Sequence, residues 1–176
     1  MSKAYVLISN ESGAEDSIIS NLNHIESVKE AHGTFGSYDI LTKLESGDEQ
    51  KIQYDISHEI RKIKKIMSTL TLLVNENQSF KKITKSEKEV LDKYMAQAFI
   101  IIHCHRSQEP VILQELEKIP EIIEADHLIG SFEIICKLAA PTYNDISDII
   151  SKKIRKIPNI KSTITLNVVG NPGFSK

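Results

Sequence analysis

His103-Cys104-His105 is the run of this chain best equipped for metal chemistry, because it sets two imidazoles and a thiol side by side. In an extended strand, alternation throws both imidazoles to one side and the thiol to the other. With His127 or Cys136 added, the donors are soft and borderline ligands of the kind that suit zinc or copper. Against a metal centre stand the opposed thiol and the lack of a second close pair of ligands, so the triplet also reads as polar residues at a strand end. His103 and His105 are the candidate ligands of an alternative function, a zinc or copper sensor or carrier.

Two further groups of residues invite a chemical reading. Arg61-Lys62-x-Lys64-Lys65 and Lys152-Lys153-x-Arg155-Lys156 are basic clusters at the ends of predicted helices, where cations complement the helix dipole and face solvent. They lack interleaved aromatics and the chain carries a net charge of -2, which argues against nucleic-acid binding through bulk charge. No phosphate-cradling glycine loop, Gly-x-Ser-x-Gly turn or paired histidines on a helix occur, and the six histidines form no nucleophile pair with Cys or Ser. The sequence therefore predicts neither an enzyme nor a bound cofactor.

The elements that position these residues come in two copies. Residues 4–74 lie on residues 98–168 at a constant offset of 94, without a gap and with about a third of the positions identical. In the first copy Ala4 to Ile8 reads as a strand. Ile18, Leu22 and Ile25 form one stripe of a helix over Ala14 to Ile25, matched by Ile112, Leu116 and Ile119. Val28 to His32 and Tyr38 to Leu44 are two strands joined through Gly33-Thr34-Phe35-Gly36. A second helix carries Ile52, Ile56, Ile60 and Ile63, matched by Ile146, Ile150, Ile154 and Ile157, and Thr69 to Val74 or Thr163 to Val168 is a last strand.

The order strand, helix, strand, strand, helix, strand is the split βαβ of a ferredoxin-like unit. The fold class is α+β: two ferredoxin-like (βαββαβ) units, residues 1–75 and 98–170, joined by a linker over 76–97 and followed by a tail, 171–176. In the linker, Ser86 and Glu89 suggest a capping box before a short helix. Alternation puts Tyr5, Leu7, Phe99 and Ile101 on the sheet faces away from the helices, too apolar to stay wet, so the two sheets are expected to pack face to face as a pseudo-dimeric α/β sandwich. No apolar stretch approaches the roughly 20 residues of a membrane span, and Met1-Ser2-Lys3 leads at once into a strand. A cytoplasmic protein with Cys104 and Cys136 as reduced thiols is expected.

With the elements in place, Gly36-Ser37-Tyr38-Asp39 between the second and third strands resembles the Gly-x-Tyr-Asp signature of the Lrp/AsnC ligand-binding (RAM) domain. Gly130-Ser131-Phe132-Glu133 stands at the same place in the second copy. The Ile-Arg-Lys-Ile ending of both second helices, Lys43 and Lys137 after the signature, and Ser-Thr-x-Thr-Leu opening the last strands are similar to the family too.

The resemblance implies a module that oligomerises and holds a small effector, commonly an amino acid, in tandem form and without the family's usual helix-turn-helix. No direct DNA binding is then expected. Partners would be other pseudo-dimers of the same chain and possible full-length Lrp/AsnC-type regulators, with no membrane. Its ligand-binding residues, carried over, are Gly36, Tyr38 and Asp39, and in the second copy Gly130, Phe132 and Glu133. A glycine turn can offer backbone N–H groups to a carboxylate while Asp39 receives an ammonium group. Phe for Tyr and Glu for Asp delete a hydroxyl and lengthen an acid, so an altered second site is expected.

Overall fold

The computed structural model describes residues 1–176, the side chain of Asn171 apart. The chain folds into two compact units, one of residues 1–74 with 168–176, the other of residues 75–167.

The first unit contains β1 (Ser2–Asn10), α1 (Glu15–Asn23), β2 (Val28–Phe35), β3 (Ile40–Ser46) and α2 (Glu49–Tyr54). A π-helical turn, Asp55–Ile60, continues α2 and leads into β4 (Ile66–Lys81), whose residues up to Val74 belong to this unit. β1 is the centre of the antiparallel sheet, with Val6 opposite Thr42 of β3 on one side and Thr71 of β4 on the other, and β2 pairs with β3. The end of the chain returns along β2, where Lys176 N donates to Lys29 O at 2.8 Å.

In the second unit the same order recurs as β5 (Ala96–Cys104), α4 (Glu109–Glu117), β6 (Ile122–Ile129), β7 (Ile134–Ala140), α5 (Tyr143–Ile149), a π turn at Ile150–Ile154, and β8 (Ile160–Ser175), whose residues up to Asn167 belong to this unit. Ile100 lies opposite Cys136 of β7 and Thr165 of β8. Before β5 comes α3 (Lys85–Tyr94). Its capping box is made by Thr84 and Glu87, two residues earlier than Ser86 and Glu89. Thr84 wins because its extended backbone aims the hydroxyl at the Glu87 amide.

Each unit has its own core between helices and sheet. Ile18, Leu22, Ile52, Ile56 and Ile60 pack on Ala4, Val6 and Ile8 in the first; Ile112, Leu116, Ile146, Ile150 and Ile154 pack on Ala98, Ile100 and Ile102 in the second. The stripes read from sequence therefore face the sheets, as the i, i+4 spacing requires. Tyr5, Leu7, Phe99 and Ile101 lie outside both of these cores and are nevertheless fully buried. Among the described residues no helix is long and apolar enough to cross a membrane.

Three local expectations are corrected. Gly33 is inside β2 and not in the connection, which begins at Gly36; a Cβ there would stand 3.4 Å from Pro172 Cδ, in contact with the returning end of the chain. The last strands run much further than Val74 and Val168, so that residues 75–81 and 169–175 are strand as well. Each second helix ends in a π turn where a continuous α-helix had been expected, with the Arg61 amide bonded to Ile56 O at 3.3 Å and the Arg155 amide to Ile150 O at 2.9 Å.

Cys104 and Cys136 are free and buried. Burial pushes the Cys104 thiol up to about 11, with the Glu133 and Glu109 charges adding to it, and the Cys136 thiol up to about 12. Since thiolate is the nucleophile, both should resist iodoacetamide at pH 8 in the native protein and react once it is unfolded, with mass spectrometry reading the added groups. Modification of either thiol at the native-state rate of a free cysteine would contradict this burial.

Candidate functional site

The signature turn is built around a defect in the neighbouring strand. The pairing of β1 with β4 shifts register between Ser9 and Asn10, and that of β5 with β8 shifts between His103 and Cys104. A bulge takes an amide out of the ladder, and a buried amide needs a partner. In the first unit the partner is Asp39, whose Oδ2 accepts from Asn10 N at 2.9 Å. In the second it is Glu133, whose Oε2 accepts from Cys104 N at 3.0 Å. The backbone fixes the acid from both sides: Asp39 N donates to Ile8 O at 2.8 Å and Thr34 N to Asp39 O at 2.8 Å, while Glu133 N donates to Ile102 O at 3.2 Å and Leu128 N to Glu133 O at 2.7 Å.

The glycines open the turn. Gly36 has φ 151° and Gly130 φ 130°, a region closed to most side chains. A Cβ at Gly130 would meet nothing within 4 Å, so the backbone conformation and not crowding is what demands glycine there. Tyr38 and Phe132 are half-buried, and Thr34 Oγ1 donates to Tyr38 O at 2.8 Å. Beside each turn an apolar side chain stands in solvent, Phe35 at 77% exposure and Ile129 at 57%.

Around this shared frame the two copies differ in chemistry. Asn10 is buried; its Nδ2 donates to Glu11 O at 2.7 Å and to Glu15 Oε1 at 3.2 Å, while its Oδ1 is shielded from water with no hydrogen-bond partner. In the second copy the residue is Cys104, a protonated thiol in the helix-side core. There Glu133 Oε2 also takes His103 Nδ1 at 2.9 Å, and the His103 ring stands edge-on to Phe132 at 6.4 Å. One carboxylate oxygen thus serves two donors in the second copy.

This accounts for His103-Cys104-His105. His103 turns to Glu133, Cys104 points the other way into the core, and His105 lies exposed beyond the strand with its backbone amide bonded to Asn159 O at 3.0 Å. Among the described residues no group of three or more His, Cys, Asp or Glu side chains is arranged to hold a metal ion. Sequence reasoning placed Asp39 and Glu133 in the turn but missed Asn10. Its only signal was its position opposite Cys104 in the repeat.

Comparison with known proteins agrees with the signature. Residues 97–172 match the model of the Lrp/AsnC ligand binding domain. Regulatory protein AsnC of Haemophilus influenzae is 31% identical over 96 residues, covering 51% of this chain and 63% of the relative, so the chain spans less than two thirds of that protein's length. Among solved structures, FFRP-DM1 is 29% identical over 43% of this chain and all of its own, with a TM-score of 0.41. The siroheme decarboxylase NirDL shares the fold over 99% of this chain and 72% of its own at a TM-score of 0.71, with 9% identity. Residues 97–172 thus carry the sequence pattern of the Lrp/AsnC ligand binding domain. Residues 4–74 repeat that domain's sequence and element order.

Because the acids close the bulges, removing either leaves a buried amide unpaired. Asp39→Ala and Glu133→Ala should each cost about 1–3 kcal/mol of stability, and Asp39→Asn, which keeps an acceptor, clearly less. Urea unfolding of the three variants decides this; equal stabilities for Asp39→Ala and the parent chain would remove the structural role of the acid.

Proposed function

We propose that the chain is an effector-binding and assembly module of the Lrp/AsnC regulator type whose effector is an amino acid received at the Gly36-Ser37-Tyr38-Asp39 turn. The observation that carries this reading is the unpartnered Asn10 Oδ1, on the residue whose amide is bonded to the Asp39 carboxylate. A buried acceptor without a donor is costly to keep, and an ammonium group would satisfy it together with the acid. The open glycine turn supplies backbone N–H groups for the effector's carboxylate.

The second turn, with Gly130, Phe132 and Glu133, is the weaker receiver in this reading. Its acid is already bonded to His103 and Cys104, and its ring lacks the tyrosine hydroxyl. Exposed Phe35 and Ile129 beside the turns give apolar surface for association with further copies. In this proposal effector binding shifts that association, which requires tighter binding to one assembly state than to the other. The module works in the cytoplasm without contacting DNA itself, as a homo-oligomer or bound to full-length Lrp/AsnC-type regulators.

A thermal-shift screen of the twenty amino acids, paired with light-scattering mass, tests the reading. At least one amino acid should raise the melting temperature and change the mass, and Asp39→Asn should weaken its binding at least tenfold while the protein stays folded. If no amino acid moves either quantity, or Asp39→Asn binds like the parent, the proposal fails.

A further inference from the structure

Each unit carries a second cleft, on the helix side and built from the same positions of the repeat. In the first unit a cleft of about 410 Å³ lies between the π turn and β4, lined by Ile56, Ser57, Arg61 and Thr71; in the second a cleft of about 420 Å³ is lined by Ile150, Ser151, Arg155 and Thr165. These volumes suit a small molecule. The four lining residues are identical in type between the copies.

Three of them, Ile56, Ser57 and Arg61, fall in a closely repeated stretch of the chain, for six of the eight positions from 56 to 63 recur in the second copy: Ile56, Ser57, Ile60, Arg61, Lys62 and Ile63. The core explains the isoleucines but not an exposed arginine. Nor does helix stability explain the π turn, an irregular and less favourable form that often marks functional sites. What the π turn does is place the arginine: its i to i+5 bond ends on the Arg61 amide in one copy and the Arg155 amide in the other.

The interiors differ between the copies. In the first cleft the Tyr54 and His58 rings stack at 4.5 Å and 12°, with Tyr54 53% exposed, and they make an aromatic wall of the cleft, which Ile56 and Leu73 also line. Among the described residues no hydrogen bond or ion pair engages the Arg61 guanidinium. Thr71 Oγ1 is shielded from water and has no partner. In the second cleft the wall is replaced by Asp148, with Lys152 Nζ 3.8 Å from its Oδ1, and Arg155 Nε donates to Thr163 Oγ1 at 3.2 Å.

From this we infer that the cleft of Tyr54, His58, Arg61 and Thr71 binds a small planar aromatic carboxylate, and that its counterpart in the second unit does not. A guanidinium takes a carboxylate through two parallel N–H bonds, and an aromatic ring lies favourably against an aromatic wall beside apolar side chains. Thr71 Oγ1 gains the partner it lacks. In the second cleft the Asp148–Lys152 pair offers no aromatic face for such a ring, and Arg155 already has a hydrogen-bond partner. The inference does not rest on the signature turn, which lies between β2 and β3.

Isothermal titration of the full chain with benzoate and with indole-3-acetate is the test, with cyclohexanecarboxylate as the non-planar counterpart. One site per chain is expected, with weaker binding of cyclohexanecarboxylate. Arg61→Gln and Tyr54→Ala should each weaken binding of the aromatic acids at least tenfold, whereas Arg155→Gln and Asp39→Asn should leave it unchanged. Arg61 and Tyr54 are exposed, and circular dichroism verifies that the variants keep the fold. Absence of binding by both aromatic acids, equal loss in Arg155→Gln, or loss in Asp39→Asn with Arg61→Gln unaffected would overturn the assignment.

Discussion

The backbone amide freed by the bulge in the first strand of each unit governs the geometry of the signature turn. The ladder cannot satisfy that amide, and water does not reach it freely, so an acid from the adjoining turn must. Asp39 and Glu133 do so at 2.9 and 3.0 Å, and each is held by backbone bonds to the strand beside it and to the end of the preceding strand. The acid is consequently fixed at both ends, and the glycine of each turn takes a positive φ, 151° at Gly36 and 130° at Gly130, that other residues rarely adopt. A group fixed for structural reasons is also preorganised for binding, which lowers the ordering cost of recognition.

Much of this architecture is readable in the sequence because it depends on local periodicity. Ile18 and Leu22, or Ile52, Ile56 and Ile60, fall on one helix face whatever else the chain does, and they are the residues found against the sheets. The alternation through Tyr5 and Leu7 likewise marks a second apolar face, and both are buried. What depends on a partner distant in sequence was not readable. The bulge at Ser9 and Asn10 exists only in the pairing with β4, so neither the role of Asp39 nor the orphaned Asn10 Oδ1 could be derived from residue types. The π turns hide in a stripe that fits an α-helix equally well, and the extra length lies in polar sequence in β4 and in glycine- and proline-containing sequence in β8.

The duplication separates what the fold requires from what chemistry each copy adds. Both copies keep the glycine, the bulge and a carboxylate to close it. Only the first has an asparagine side chain and a tyrosine where the second has Cys104 and Phe132, and only the second spends the acid on His103. The same division appears on the helix side, where a shared arginine and threonine face an aromatic wall in one unit and an ion pair in the other. Because the fold needs the acid even where a ligand has no use for it, a carboxylate at this position is weak evidence of binding; the surrounding side chains carry the distinction.

A titration of ¹⁵N-labelled protein with the twenty amino acids, followed by amide chemical shifts, tests the central claim most directly. The account predicts that the effective amino acid shifts the amides of Asn10 and residues 36–39 first, with residues 130–133 responding only at higher concentration or not at all. Shifts confined to other parts of the chain, or no shifts with any amino acid, would contradict it.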